Sequence, residues 1–172
     1  KYDYDKVLIP SGLQPRAALA FSFIPLLFIM KKVGLIKTDI EPWLLSAATL
    51  IKSKRIEYST DADKNPVWVL ANKIYSKLPI IYADSDGLDT AAVRLKGQIC
   101  ENSKILAYHN IYPEMNHNEI VGWYNNAEYF SNYFVLWLMD KDMNERNKAR
   151  KSIISNILSD LRVKQEIIEV EG

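Results

Sequence analysis

A single cysteine, Cys100, leaves no partner for an internal disulfide and makes a reduced, cytoplasmic setting the expectation. The glycine-rich phosphate loops G-x-G-x-x-G and G-x-x-x-x-G-K-[ST] are absent. So is the nucleophile elbow G-x-S-x-G. The only histidines, His109 and His117, stand eight residues apart without a paired cysteine. That is too few ligands for a zinc site, so neither metal nor cofactor is expected. Charge of one sign is also lacking. The 22 basic and 21 acidic residues leave a net charge of +1, no field with which to steer nucleic acid or a membrane surface. The stretch that could pass for a membrane segment, Ala17 to Met30, is uncharged over 14 residues and contains Pro25. It falls short of the ~18–20 residues a spanning helix needs and reads as a core helix. With alternating charges before it and no small-residue cleavage site after it, it is not expected to be a signal peptide.

What is present is a balanced globular composition: 172 residues, 48% apolar and 25% charged. Disorder is excluded, and a chain of this length closes one core that buries roughly 70% of its extended surface. Short apolar runs alternate with longer amphipathic ones. Lys6–Pro10 (KVLIP) reads as a strand. Helices are expected over Pro15–Lys32, with Gly34 just past its end, over Asp39–Lys54, with Asp39 as cap, and over Asn65–Leu78, with Asn65 as cap and Pro79 ending it. Ile80–Ala83 is a strand, Ser85-Asp86-Gly87 a turn, Asp89–Ser103 a helix, and Ile105–Ala107 the next strand. A short helix spans Asn118–Tyr124, a strand apolar throughout spans Tyr133–Met139, a basic-flecked helix spans Asn144–Leu161, and Glu166–Val170 closes as a strand. Strands separated by helices predict a three-layer α/β/α domain with a mostly parallel sheet of about five strands. Ligands of such sheets sit at the carboxyl ends of the strands.

Two segments concentrate chemistry. Ser11-Gly12-Leu13-Gln14-Pro15-Arg16 joins a strand to a helix start, where free N–H groups and a positive dipole end meet. Arg16 there is either an anion grip or a solvated, ion-paired surface residue. Glu101 to Glu119 gathers Glu101, Glu114, Glu119, His109 and His117 around one strand. Glu101 lies at the end of a helix, where the negative end of the dipole strengthens a carboxylate as a base. His117 follows Pro113 at the start of a short helix, and an imidazole exchanges protons near pH 7. A carboxylate and a histidine suit proton abstraction beside a carbonyl; a polar surface loop with His117 as a helix cap is the alternative.

Arg94 to Lys104, R-x-K-x-Q-x-x-E-N-x-K, followed by Pro113 to Trp123, P-E-M-N-H-N-E-I-V-G-W, resembles the C-terminal half of bacterial and archaeal phosphoglucose/phosphomannose isomerases, members of the sugar isomerase (SIS) domain superfamily. The sixteen residues from Glu101 to His117 match the acid/base spacing of that family and of related aminosugar isomerases, and Ser11 to Leu19 resembles the segment opening its second SIS domain. The resemblance implies an aldose–ketose isomerase of sugar phosphates, with glucose 6-phosphate interconverted with fructose 6-phosphate and mannose 6-phosphate as the second candidate substrate. Glu101 would move a proton between C1 and C2 through a cis-enediol. His117 would assist ring opening, and Arg16 would hold negative charge at the enediol oxygens. It also implies a homodimer with a shared active site, the histidine coming from the neighbouring subunit. Asn118 and Glu119 either orient the loop or cap a helix.

The family's Ser/Thr-rich phosphate loop has no counterpart here, and Lys164 lacks the context of the family's C-terminal lysine. With Lys1 rather than Met at the start, the expectation is the C-terminal SIS domain, 1–172, of a longer two-domain protein, inactive without its N-terminal SIS domain. The isomerase domain of an aminosugar synthase and a non-catalytic sugar-phosphate-binding SIS module are the rival readings. Trp43, Trp68, Trp123 and Trp137 are expected in core or interface, Cys100 as a small buried hydrophobe, and Arg146 to Lys151 as a solvated helix face.

Overall fold

A computed structural model describes residues 4–125 and 127–170. They fall into two compact units that divide between Val67 and Trp68.

The first unit is helical. A 3-10 turn, Pro15–Ala17, precedes α1, Leu19–Lys32. The single helix expected from Pro15 is therefore broken, because Ala18 takes φ −112° and ψ 18° between the two. Helix α1 ends as its sequence indicates. Gly34 sits at φ +81°, and the Leu35 N–H reaches back to the Met30 carbonyl at 2.9 Å, the bond pattern that closes a helix on a left-handed glycine. The Asp39 carboxylate accepts from the Glu41 N–H at 3.3 Å and from Lys31 Nζ at 2.7 Å, but α2, Glu41–Glu57, starts two residues later than expected, with Ile40 and not Asp39 in the cap position. The strand expected at Lys6–Pro10 does not form; residues 6–10 lie outside any sheet, with Leu8 91% exposed. A short apolar run becomes a strand only where a neighbour completes its ladder, and Pro10 offers no N–H.

Helix α3, Pro66–Ile74, leads into the second unit, with the Asn65 side chain accepting from the Val67 N–H at 3.0 Å. It stops four residues earlier than Pro79 suggested, and Ser76 turns the chain at φ 59°. Pro79 instead lies inside β1, Leu78–Asp84. There it pairs with Phe134 of β3 alone, since pairing with β2 begins at Ile80, so its missing N–H falls outside the β2 ladder. Helix α4, Asp89–Gln98, continues into a π-helical turn, Ile99–Ser103, then β2, Tyr108–Tyr112. The remaining elements are α5, Glu114–Asn118; 3-10 turns at Ile120–Tyr124 and Ala127–Asn132; β3, Tyr133–Asp140; α6, Glu145–Asp160; and β4, Lys164–Val170. Asn144 caps α6 as expected, its side chain accepting from the Asn147 N–H at 2.9 Å.

Two elements are displaced from their expected places. The strand expected at Ile105–Ala107 begins at Tyr108, because Lys104 turns left-handed at φ 58° and leaves Leu106 71% exposed. The helix expected at Asn118–Tyr124 begins at Glu114 and becomes a 3-10 turn after Ile120.

The sheet is wholly parallel in the order β2-β1-β3-β4, four strands rather than about five. The step from β1 to β2 runs opposite to the two later crossovers, so connections of one hand place α4 on one face and α5 and α6 on the other. The packing agrees. Ile81, Ala83, Leu136 and Leu138 meet Ala92 and Leu95 of α4, while Tyr82, Trp137, Met115, Trp123, Ile154 and Leu158 form the core of the opposite face. The β3 run from Phe134 to Leu138 is buried on both faces, as its unbroken apolar sequence indicated. Trp123 and Trp137 are core, whereas Trp43 and Trp68 are 63% and 55% exposed. Cys100 is only half-buried. Nor is the Arg146–Lys151 run a solvated face throughout: Asn147 and Lys151 are buried, and the Lys151 ammonium lies 5.6 Å from the Trp137 ring centre. Among the described residues no helix is long and apolar enough to cross a membrane.

Candidate functional site

Glu101 sits midway along the π-helical turn that ends α4. Such turns insert an extra residue into the helical ladder and recur at functional positions. This one is held by its own neighbours. The Asn102 amide donates to the Gln98 carbonyl at 3.0 Å and to its side-chain oxygen at 2.7 Å, and Lys104 Nζ donates to the main-chain oxygen of Glu101. Glu101 is exposed.

His117 lies in the last turn of α5, not at a helix start as expected, and is exposed. Met115, in the same five-residue helix, is fully buried in the core. The next residue but one after His117, Glu119, points the other way, into the sheet. Its carboxylate accepts from Tyr82 Oη at 2.8 Å and from Asn110 Nδ2 at 2.5 Å. Trp123 Nε1 donates in turn to Tyr82 Oη at 3.1 Å. Burial first, and the Glu119 carboxylate second, push the Tyr82 phenol well above the usual tyrosine range, so it remains a protonated donor. Asn118 donates to Glu114 at 3.0 Å. The Tyr82–Glu119–Asn110 linkage was not legible beforehand. Its residues are spread over 37 positions and meet only because Tyr82 and Asn110 are register partners.

The cluster expected around one strand thus divides between the two faces. Asn110 and Tyr112 of β2 face α5, so His109, which precedes Asn110 and alternates with it, faces the α4 side beside Ile81. Glu101 belongs to the α4 layer and His117 to the α5 layer. Arg16 is exposed in the 3-10 turn of the first unit, in the turn itself and not in the first turn of a longer helix.

Two of the clefts in the second unit are lined by residues of or next to α5. One, of about 490 Å³, lies against the α5 face and is lined by Ile80, Tyr82, Tyr108, Glu119, Trp123 and Tyr133. The other, of about 440 Å³, lies at the carboxyl edge of the sheet with Asp86, Asn144, Arg146 and Arg150. There the Asp86 carboxylate already accepts from Asn144 Nδ2 at 2.7 Å, occupying the start of α6 where an outside anion would bind. No group of three or more His, Cys, Asp or Glu among the described residues is placed to hold a metal ion.

Residues 63–172 match the family model "Bacterial phospho-glucose isomerase C-terminal SIS domain". The chain is 40% identical over 160 residues to the bifunctional phosphoglucose/phosphomannose isomerase of Caldicellulosiruptor bescii, covering 92% of this chain and 47% of that protein. It is 32% identical over 164 residues to the protein of the same name from Aquifex aeolicus (95% and 47%), and 32% identical over 144 residues to that from Thermoplasma volcanium (81% and 42%). The chain spans about half the length of these curated relatives. No solved structure matches it significantly.

Proposed function

The chain belongs to the bacterial phospho-glucose isomerase C-terminal SIS domain family, and from that premise we propose that it is the C-terminal half of a two-domain, cytoplasmic aldose–ketose isomerase. Its substrates are glucose 6-phosphate, and by the same chemistry mannose 6-phosphate, interconverted with fructose 6-phosphate. The Glu101 carboxylate takes the proton from the carbon beside the carbonyl, the carbonyl oxygen is protonated to complete a cis-enediol, and the carboxyl returns its proton to the neighbouring carbon as the other hydroxyl gives up its own, so no oxidant or reductant is required. His117 moves protons on the ring oxygen or O1 as the ring opens. Arg16 holds the charge that develops on the enediol oxygens. The phosphate is held by the N-terminal domain that the full-length relatives' size leaves room for.

The observation that carries this reading is the placing of Glu101 and His117: both exposed, each on a constrained turn, and borne by layers on opposite faces of the sheet. Two copies, each lending its histidine to the other, supply both groups to one substrate, and the active species is accordingly a homodimer.

The test is Glu101→Gln in the full-length protein, with fructose 6-phosphate conversion to glucose 6-phosphate followed in a coupled assay. Turnover is expected to fall at least about 100-fold with sugar phosphate binding retained. Wild-type turnover in that variant removes Glu101 as the base. An inactive wild-type protein that still binds sugar phosphate points instead to a non-catalytic sensor.

A further inference from the structure

Helix α5 has five residues, too few to hold an orientation by its own hydrogen bonds. Two anchors fix it. Met115 and Glu119 stand four apart and share its inward face, one buried in the apolar core, the other bonded through both carboxylate oxygens to the sheet. His117 is turned about 200° from Met115 around the helix and is exposed. Glu119 is also the residue that closes α5, where a carboxylate faces the negative end of the helix and stabilises nothing locally. Its position is explained by what it reaches, not by capping.

The donors it reaches are rigid. Asn110 is oriented by its own oxygen, which accepts from the Ile111 N–H at 2.8 Å. Tyr82 is fully buried and accepts from Trp123.

We infer that Glu119 is the positioning residue for His117: its carboxylate, clamped between Tyr82 of β1 and Asn110 of β2, sets the direction in which the histidine leaves the domain. The inference rests on the reading of His117 as the ring-opening group. The clamp acts on His117 through α5, and Glu119 itself takes no part in proton transfer.

The test uses the full-length enzyme with Glu119→Ala, Glu119→Gln, His117→Ala and the double variant H117A/E119A. Glu119→Ala is expected to lower kcat on the order of 100-fold, with KM changed by less than about threefold. Glu119→Gln keeps an acceptor for Tyr82 and recovers about tenfold of that loss. It also guards against a variant that merely unfolds. The double variant should be no slower than His117→Ala alone, because one removal already discards what the other positions. The limb of the pH–rate profile that disappears in His117→Ala should be displaced in Glu119→Gln. Multiplying losses in the double variant, or wild-type turnover in Glu119→Ala beside a slow His117→Ala, overturns the positioning role. Wild-type turnover in His117→Ala overturns the reading of His117, and this inference with it.

Discussion

The turn that carries Glu101 and the helix that carries His117 both present an exposed polar side chain from a short, irregular element, yet they are held by different means. The ties of the Glu101 turn include bonds no more than four residues long, from Asn102 to Gln98 and from Lys104 to Glu101. The His117 helix is tied by Glu119 to Tyr82, 37 residues away, and by Met115 to the core. A base that moves a proton between adjacent carbons can be placed by a local turn. A histidine proposed to reach another subunit needs an anchor in the rigid sheet. The two groups proposed for one chemistry therefore have different sensitivities: the first to changes nearby in sequence, the second to changes in the sheet.

That contrast can be broken or sharpened by substitution. The largest stability effect is expected at the apolar anchor. Met115→Ala empties a fully buried site and should cost about 2–5 kcal/mol in chemical denaturation, with α5 losing amide protection before the strands do. Next comes Tyr82→Phe, which deprives both Glu119 and Trp123 of a partner. About 1–3 kcal/mol is expected, with kcat lowered in the direction of Glu119→Ala. An unchanged kcat in Tyr82→Phe would show that Asn110 alone suffices as the clamp. Smallest is Asn102→Ala, which removes only local bonds at an exposed turn. It should cost less than about 1 kcal/mol by thermal melting and leave His117-dependent steps of the pH profile untouched. If Asn102→Ala proves as costly as Tyr82→Phe, the distinction between a locally held base and a sheet-held histidine fails.

Much of the fold was legible because its signals are local. The Asn144 cap and the helix after it, the Asn65 cap, the left-handed Gly34 and the continuous apolar run of β3 all depend on residues close along the chain. The misplaced elements are those decided by a neighbour. KVLIP has the composition of a strand and, among the described residues, no strand beside it. ILA at Ile105–Ala107 has the composition and loses its place to Tyr108–Tyr112, a more polar run that happens to align with β1. Pro79 reads as a helix stop and is tolerated in a strand because the β2 ladder starts one residue later.

By itself the sequence determined the α/β class, the family, and the two groups proposed to move protons, since composition, periodicity and an uncommon motif are all carried by residues close along the chain. The tertiary structure alone decided that four strands and not five make the sheet, that Glu101 and His117 belong to opposite layers, and that Glu119 faces inward while His117 faces out. Those outcomes depend on strand register and on which face each crossover covers. Register and crossover are set by contacts between distant residues, and no window of sequence contains both partners.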